Sequence, residues 1–337
     1  PISLKNMNDE IDSFTYLFFK RRITIMKQGV LEKLNKIYPI KFIKVDAVTN
    51  EMYRCETKQG IYFARMTNYK TYDEQLDEVT YTNFLYNEGL GVTPIIPSSR
   101  GKLVEKITLG EDLLTVLFKK APGEHLPRSQ WNATVLKEVG RQIGILHRLS
   151  IKYESMKTVT SINDWYKNEE YAFLKYIPKE ESTIRDVAHE ILSTIKSLPQ
   201  NDSTYGLLHG DLCLENILMD HNSKITMIDF QDCEKNYYLF DLAVPIYSAI
   251  EYSFVGNGNI VDYQHSITKA IIEGYREEHE LSAEMLEKLP LFIKLKEIFE
   301  YSLMHMYGDK DKITEEQIRI MNHFRIRIEH NHSLLSI

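Results

Sequence analysis

Residues 207–218 read Leu-Leu-His-Gly-Asp-Leu-Cys-Leu-Glu-Asn-Ile-Leu, and after a turn the chain continues Thr226-Met227-Ile228-Asp229-Phe230. Asp211 stands five residues before Asn216 and eighteen before Asp229. Two carboxylates and an amide at these intervals could carry phosphoryl transfer. That chemistry needs a carboxylate to orient and deprotonate an acceptor hydroxyl, and oxygen ligands to hold Mg2+ on a triphosphate. Asp211 suits the first task, and Asn216 and Asp229 the second, because Mg2+ keeps several waters and takes few protein oxygens. Taken singly, Asp211 and Asn216 could cap a turn and Asp229 could end a strand. The joint pattern of His209, Gly210, Asp211, Asn216 and an apolar run ending in Asp229-Phe230 favours the chemical reading. His209 is expected to hold the loop by bonding nearby backbone, and Cys213, with no evident activating base, to be a packed or partly exposed thiol.

The elements that must position these groups are legible in outline. Helix-like spacing runs over Asp9–Leu34, followed by strand-like runs at Phe42–Val45, Met52–Thr57 and Ile61–Met66. Helical periodicity returns over Asp73–Asn87 and stops at Glu88-Gly89-Leu90-Gly91. Strands are expected at Lys102–Lys106 and Leu113–Phe118, before the punctuation Ala121-Pro122-Gly123. Beyond it, Leu136, Val139, Ile143, Leu146 and Leu149 form one stripe of a helix over Ala133–Leu149, with Asn132 as N-cap. Gly140 and Gly144 share a face that permits close packing. A second helical region is expected over Asn163–Leu198, then short strands at Asn216–Met219 and Lys224–Ile228, and mainly helix from Asp241 onward. The sum is an α+β chain with a small sheet-bearing N-terminal lobe and a larger, mainly helical C-terminal lobe.

Composition removes several classes. Hydrophobic residues at 43% and charged residues at 26% exclude disordered, collagenous and coiled-coil chains. No Walker-type phosphate loop, dinucleotide fingerprint, nucleophile elbow or complete HExxH is present. The three cysteines are never spaced as CxxC, which points away from a disulfide scaffold or a cysteine zinc site. No apolar run approaches the roughly 18 residues of a membrane span, and the first residues lack a signal peptide's apolar stretch. A cytoplasmic protein without membrane association is expected. Net charge is −7, which argues against nucleic-acid binding. From Leu242 to Ile337 there are 15 Asp+Glu against 10 Lys+Arg, so this stretch carries −5 of the −7. An acidic surface near a cleft would attract a cationic ligand, although a solvated helical face would give the same count.

The segments HGDLCLENIL and MIDFQDCEKNYYLFDLA resemble the aminoglycoside phosphotransferase and choline kinase family, protein-kinase-like enzymes that phosphorylate small-molecule alcohols. HGD stands where protein kinases have HRD, Ile228-Asp229-Phe230 matches the family's IDF, and Asp241-Leu242-Ala243 its later Asp-Leu-Ala. LTVLFKKAPGEHLP and VGRQIGILHRLS resemble the hinge and the helix that follows. The resemblance runs from about residue 42 onward, with the HGD to IDF segment its specific part. It implies a protein-kinase-like bilobal fold: a nucleotide-binding lobe with a helical extension over residues 1–118, a hinge over 119–123, and a catalytic and acceptor-binding lobe over 124–337. It further implies ATP, or another nucleoside triphosphate, and Mg2+ as cofactors. Asp211 would be the catalytic base, with Asn216 and Asp229 on the metal and Asp241 a structural anchor. Adenine would meet the backbone of Lys119 and Ala121, with Phe118 as part of its wall. Arg65 would take the phosphate-binding cation's place and pair with Glu78, Lys70 being the alternative cation. The pattern departs in two places: Asp46–Glu51 contains no glycine for a backbone phosphate cradle, and Cys213 occupies a position that is often His in the family.

The expected partner is a small-molecule alcohol, such as an aminoglycoside, an amino alcohol, homoserine or a sugar, and a cationic one on the charge argument. The acceptor pocket is expected beyond Asp211, lined by the helical insertion and the C-terminal helices; Tyr247, Glu251, Glu297, Glu300 and Tyr301 are candidates for it, though each reads more simply as an ordinary surface or packing residue. Two other readings stand beside this one. A protein Ser/Thr kinase of the stress-response type is disfavoured because Asp241 follows Asp229 after only twelve residues, leaving no activation-loop and APE pattern. A non-catalytic spore-coat-like relative is disfavoured by the intact Asp211, Asn216 and Asp229. Acceptor identity, ATP against GTP, and oligomeric state are not written in the sequence.

Overall fold

The computed structural model describes residues 28–156, 160–253, 259–308, 313–330 and 334. The expected helix over Asp9–Leu34 is described only from residue 28, its earlier part lying outside the described residues. The chain divides into two compact units, Pro1–Asn87 with Val92–Ala121, and Glu88–Gly91 with Pro122–Ile337.

The first unit is an antiparallel five-stranded sheet with a helix against each face. Its strands are β1 (Phe42–Ala47), β2 (Met52–Thr57), β3 (Ile61–Thr67), β4 (Glu105–Thr108) and β5 (Asp112–Lys119), in the order β1-β2-β3-β5-β4. The described part of helix α1 spans residues 28–37, and α2 spans Tyr72–Asn87. The period of two along a strand decides what faces where. Ala64, Met66 and Leu117 pack with Val30 and Leu34 of α1. Leu114 and Val116, on the opposite parity of β5, pack with Val79 of α2. Arg65, between Ala64 and Met66 and paired across the ladder with Val116, is therefore turned to the α2 face. The strand expected at Lys102–Lys106 starts three residues later, because Gly101 takes a positive φ of 75° and its N–H closes a turn onto the Ser98 carbonyl, while Ser98 N–H donates to the Lys102 carbonyl.

The second unit is mainly helical. Its β6 (Glu124–His125), β8 (Ile217–Met219) and β9 (Ile225–Met227) form one small sheet in the order β6-β8-β9, while β7 (Tyr205–Leu208) and β10 (Glu234–Tyr237) pair as an antiparallel ribbon. Helix α3 (Ala133–Met156) begins at Asn132, whose Oδ1 accepts from the Thr134 and Val135 amides at 3.0 and 3.2 Å, and buries the expected stripe. It packs on α7 (Ile260–Arg276) so closely that a Cβ on Gly140 would lie 2.0 Å from the Ile271 carbonyl oxygen.

The single helical region expected over Asn163–Leu198 is instead broken. Two 3-10 turns at Trp165–Lys167 and Glu169–Tyr171 precede the short helix α4 (Phe173–Tyr176), and only α5 (Ser182–Lys196) is a full amphipathic helix. Pro178 excludes helical backbone at Ile177, and buried Trp165, Tyr171 and Phe173 anchor the turns. The remaining helices are α6 (Tyr238–Tyr252), α8 (Ala283–Leu286), α9 (Leu289–Tyr307) and α10 (Glu315–Glu329). Residues 238–250 of α6 are all buried, as a helix apolar on every side must be. Among the described residues no helix is long and apolar enough to cross a membrane.

Candidate active site

The loop between β7 and β8 carries Asp211, and a buried carboxylate beneath it fixes its path. Asp241 of α6 accepts from the His209 amide at 2.8 Å and the Gly210 amide at 3.0 Å. His147 of α3 completes the anchor, its Nε2 lying 3.2 Å from Asp241 Oδ2 and its Nδ1 2.9 Å from the Tyr275 hydroxyl. A buried carboxylate needs such partners, and here it receives three. Gly210 has φ 86°, and a Cβ there would lie 2.1 Å from the Asp232 carbonyl oxygen, so the middle residue of His-Gly-Asp is held to glycine by backbone contact.

The loop is tied to the start of the Asp229 segment from two sides. The His209 ring reaches the Ile228 carbonyl with Nε2 at 2.9 Å, the backbone contact the sequence suggested. Ile228 N–H donates to the Asn216 carbonyl at 3.0 Å. Asn216 Nδ2 in turn donates to the Asp211 carbonyl at 2.8 Å, an orientation that reserves the side-chain oxygen for a cation. Asp229 itself adopts left-handed backbone with φ 66°, a conformation Asp tolerates better than most residues and one that concentrates at functional sites. Among the described residues no three His, Cys, Asp or Glu side chains converge as a metal-binding cluster. An amide and a carboxylate are hard oxygen donors that fit a divalent ion shared with phosphate oxygens, and not an all-protein cage.

The Asp211 carboxylate has one strong side-chain partner, and sequence reasoning missed it. Lys296 of α9 places Nζ 3.1 Å from Asp211 Oδ1 and 2.7 Å from Glu300. The Lys296 charge holds the Asp211 carboxyl below the usual carboxylate range, against burial. Burial alone would lower Lys296, but Asp211 and Glu300 outweigh it and push it up. Cys213 Sγ lies 3.8 Å from Asp211 Oδ2, and burial pushes its thiol up, so it is a neutral neighbour and no nucleophile.

Of the expected acceptor-pocket residues, Glu300 alone is linked to Asp211, through Lys296. Glu297 accepts from Arg327 Nε at 2.6 Å and Glu251 is paired with the same guanidinium. Tyr301 donates to Glu181 at 2.6 Å. These three make packing contacts, the ordinary role weighed for each of them. The Tyr247 hydroxyl is buried and has no hydrogen-bond partner among the described residues.

In the first unit, three of the expected nucleotide-site residues come together. Arg65 Nη2 lies 2.6 and 2.8 Å from the two oxygens of Glu78, and its guanidinium carbon sits 5.3 Å from the centroid of the Phe118 ring. Lys70 joins the same carboxylate at 3.5 Å, so both candidate cations share one anion. Lys119 N–H is committed to the Pro94 carbonyl at 3.2 Å, so the amide of this expected adenine-site residue is already engaged. The β1–β2 turn uses its own amides. Val48 and Thr49 donate to the Met52 carbonyl at 2.7 and 3.2 Å, and Glu51 and Met52 donate to Thr49 Oγ1 at 3.2 and 3.0 Å. With these four amides engaged within the turn, this glycine-free segment is not arranged as a backbone phosphate cradle.

A profile of the phosphotransferase enzyme family (APH) matches residues 40–260. The chain belongs to this family. The phosphotransferase is 29% identical over 284 residues to the amicoumacin kinase of Bacillus subtilis (strain 168), a match covering 83% of this chain and 84% of that one. Its fold resembles that of an amicoumacin kinase, hAmiN, solved in complex with AMP-PNP, Ca2+ and Ami, with TM-score 0.83 at 23% identity over 94% of this chain and 98% of the other. It also resembles a microcompartment-associated aminopropanol kinase, with TM-score 0.71 at 18% identity over 90% and 95% of the two chains. This phosphotransferase is accordingly a small-molecule kinase with the α+β, protein-kinase-like fold expected from its HGD and IDF segments. AMP-PNP and Ca2+ in the first of these structures are a nucleoside triphosphate analogue and a divalent cation, the two cofactor classes the sequence implied.

Proposed function

We propose that the protein transfers the γ-phosphoryl group of ATP to a hydroxyl of a small, amine-bearing alcohol. The observation that carries this reading is the loop in which Asp241 fixes the backbone before Asp211, while Asn216 ties Asp211 to the Asp229 segment. Asp211 orients the acceptor hydroxyl and receives its proton. The acceptor oxygen bonds to the γ-phosphorus as the bond from that phosphorus to the β–γ bridging oxygen breaks, and ADP leaves with the electron pair. Asn216 and Asp229 would hold the divalent ion, which when bound would offset negative charge on the phosphates. Arg65, fixed by Glu78, engages the phosphates; the Lys119 carbonyl and Ala121 amide meet the adenine edge, against Phe118. With four β1–β2 amides engaged within their own turn, phosphate binding rests on side-chain charge and metal to a greater degree than in a glycine-rich loop.

Two features support an amine-bearing acceptor. The stretch after Asp241 holds the acidic excess, and aminopropanol is the substrate named for one structural relative. The protein-kinase alternative loses further ground, because residues 230–241 are taken up by a 3-10 turn, β10 and the start of α6. The test is a turnover screen of the purified protein with MgATP against amicoumacin, aminopropanol, choline, an aminoglycoside, homoserine, a neutral sugar and a sugar acid, at low and high salt. Highest catalytic efficiency is expected for a cationic alcohol, falling as salt screens the field over about 8 to 10 Å. A best acceptor that is anionic, or a cationic one indifferent to salt, removes the charge argument. Phosphorylation of none of them overturns the proposed acceptor class.

A further inference from the structure

Lys296 is 4% exposed, yet it carries an ammonium group. Its Nζ lies 3.1 Å from Asp211 Oδ1 and 2.7 Å from Glu300 Oε1, and it stands 5.1 Å from the centroid of the Phe299 ring. A buried ion pair is weak evidence of a stabilising role, since apolar side chains of similar volume often serve a protein interior as well. The remaining side-chain contacts on the Asp211 carboxylate are long: Cys213 Sγ at 3.8 Å and Asn216 Nδ2 at 3.4 Å, both on Oδ2. Lys296 thus makes the close contact that fixes how the carboxylate is turned.

We propose that Lys296, backed by Glu300, is a positioning residue for phosphoryl transfer, engaging Oδ1 of Asp211 so that Oδ2 is presented to the acceptor hydroxyl. The inference rests on the reading of Asp211 as the acceptor-orienting base. Glu300 lies one helical turn after Lys296, so α9 itself sets the register of the two. The helix is held in place beside them, with Glu297 on Arg327 of α10 and Tyr301 on Glu181. A group that aims a reacting carboxylate works best on such a rigid element. The positive charge also offsets repulsion between the Asp211 carboxylate and the phosphates that must approach it.

In the step itself, the acceptor proton passes to Asp211 Oδ2 as the acceptor oxygen bonds phosphorus and ADP departs. Lys296 keeps its protons throughout.

The test compares Lys296→Met, Lys296→Arg, Glu300→Gln and Asp211→Asn, using the alcohol of highest turnover in the screen above and a more acidic, fluorinated analogue of it. MgATP binding stoichiometry counts intact sites, and MgATP hydrolysis with water as acceptor is read in parallel. Lys296→Met is expected to lower kcat about 10- to 100-fold with MgATP affinity retained, because small displacements of a reacting group are this costly. Glu300→Gln should lose less, and Lys296→Arg should recover most of the rate. The defect should shrink with the acidic analogue, which leans less on the base, whereas a general structural lesion slows both alcohols by one factor. Unchanged kcat in Lys296→Met, or the same loss on both alcohols, overturns the inference. If Lys296→Met fails to fold, Glu300→Gln decides by the same comparison, unchanged kcat overturning the proposal. Normal turnover in Asp211→Asn is a different failure: it overturns the base assignment, and the Lys296 proposal with it.

Discussion

Arg65 and Glu78 form an ion pair at 2.6 Å with both side chains almost sealed from solvent. It joins the middle of β3 to α2, and Lys70 and Gln75 gather on the same carboxylate. Taking away one member of a buried pair leaves the other's charge uncompensated, at a cost of about 3–5 kcal/mol. Glu78→Ala is therefore expected to lower stability by about that amount in urea unfolding and to weaken MgATP binding. Stability and affinity both equal to wild type would show that the pair anchors nothing.

Asp211→Asn keeps the size of the side chain and removes the proposed base. With Glu300 still beside Lys296, the fold and MgATP affinity are expected to survive, while turnover falls on the order of 10²-fold or more. Steady-state kinetics on the true acceptor, alongside calorimetric titration of MgATP, separates the two effects. Near-normal turnover would remove Asp211 from the mechanism.

Asn216 and Asp229 differ in charge, and their variants should differ accordingly. Asp229→Ala is expected to lose Mg2+-dependent nucleotide affinity more severely than Asn216→Ala, because a carboxylate contributes more to a divalent site than an amide does. Titrating ATP into each variant with and without Mg2+ checks the order. Unchanged affinity in both variants would contradict the metal assignment.

Glu234 gives the fold a pH dependence of its own. It is buried on β10, accepting from the Tyr171 hydroxyl at 2.8 Å and Asn236 Nδ2 at 2.9 Å, and burial pushes its carboxyl up to about 8. The ordinary value is 4.5, so between the two the folded chain binds more protons than the unfolded one. Its contribution to stability is fully present below the ordinary value and is lost as pH rises towards about 8. Glu234→Gln cannot ionise, so its urea midpoint should gain on wild type as pH rises through this window. A difference between the two proteins that stays constant with pH would contradict the raised value.

The reach of the sequence follows the distance between interacting residues. His209, Asp211, Asn216 and Asp229 lie within 21 residues, and their roles could be argued from spacing because turns and short strands leave few ways to arrange them. The pairing of Arg65 with Glu78 was expected from the family resemblance alone, and the structure shows the local reason for it: strand parity turns Arg65 to the face that α2 covers. Lys296 lies 85 positions from Asp211 in the run Lys294-Leu295-Lys296-Glu297, which reads as ordinary solvated helix. The available signal was its apolar setting: Phe292 and Phe299, four before and three after, place Lys296 on a face that cannot be solvent-exposed. The polar strand β10 was invisible for a related reason. Its Glu-Lys-Asn-Tyr has no alternation of its own and becomes a strand by pairing with β7.

Asp241 has a consequence for how the enzyme fails. One carboxylate, sealed inside the most buried helix, sets the backbone directly before Asp211. The Asp211 loop is consequently expected to melt together with that helix, sharing the cooperativity of the core. Heat should extinguish turnover on the same curve that erases α-helical dichroism, and substitutions that loosen the interior of α6 should register as lost catalysis before any surface of the protein has changed.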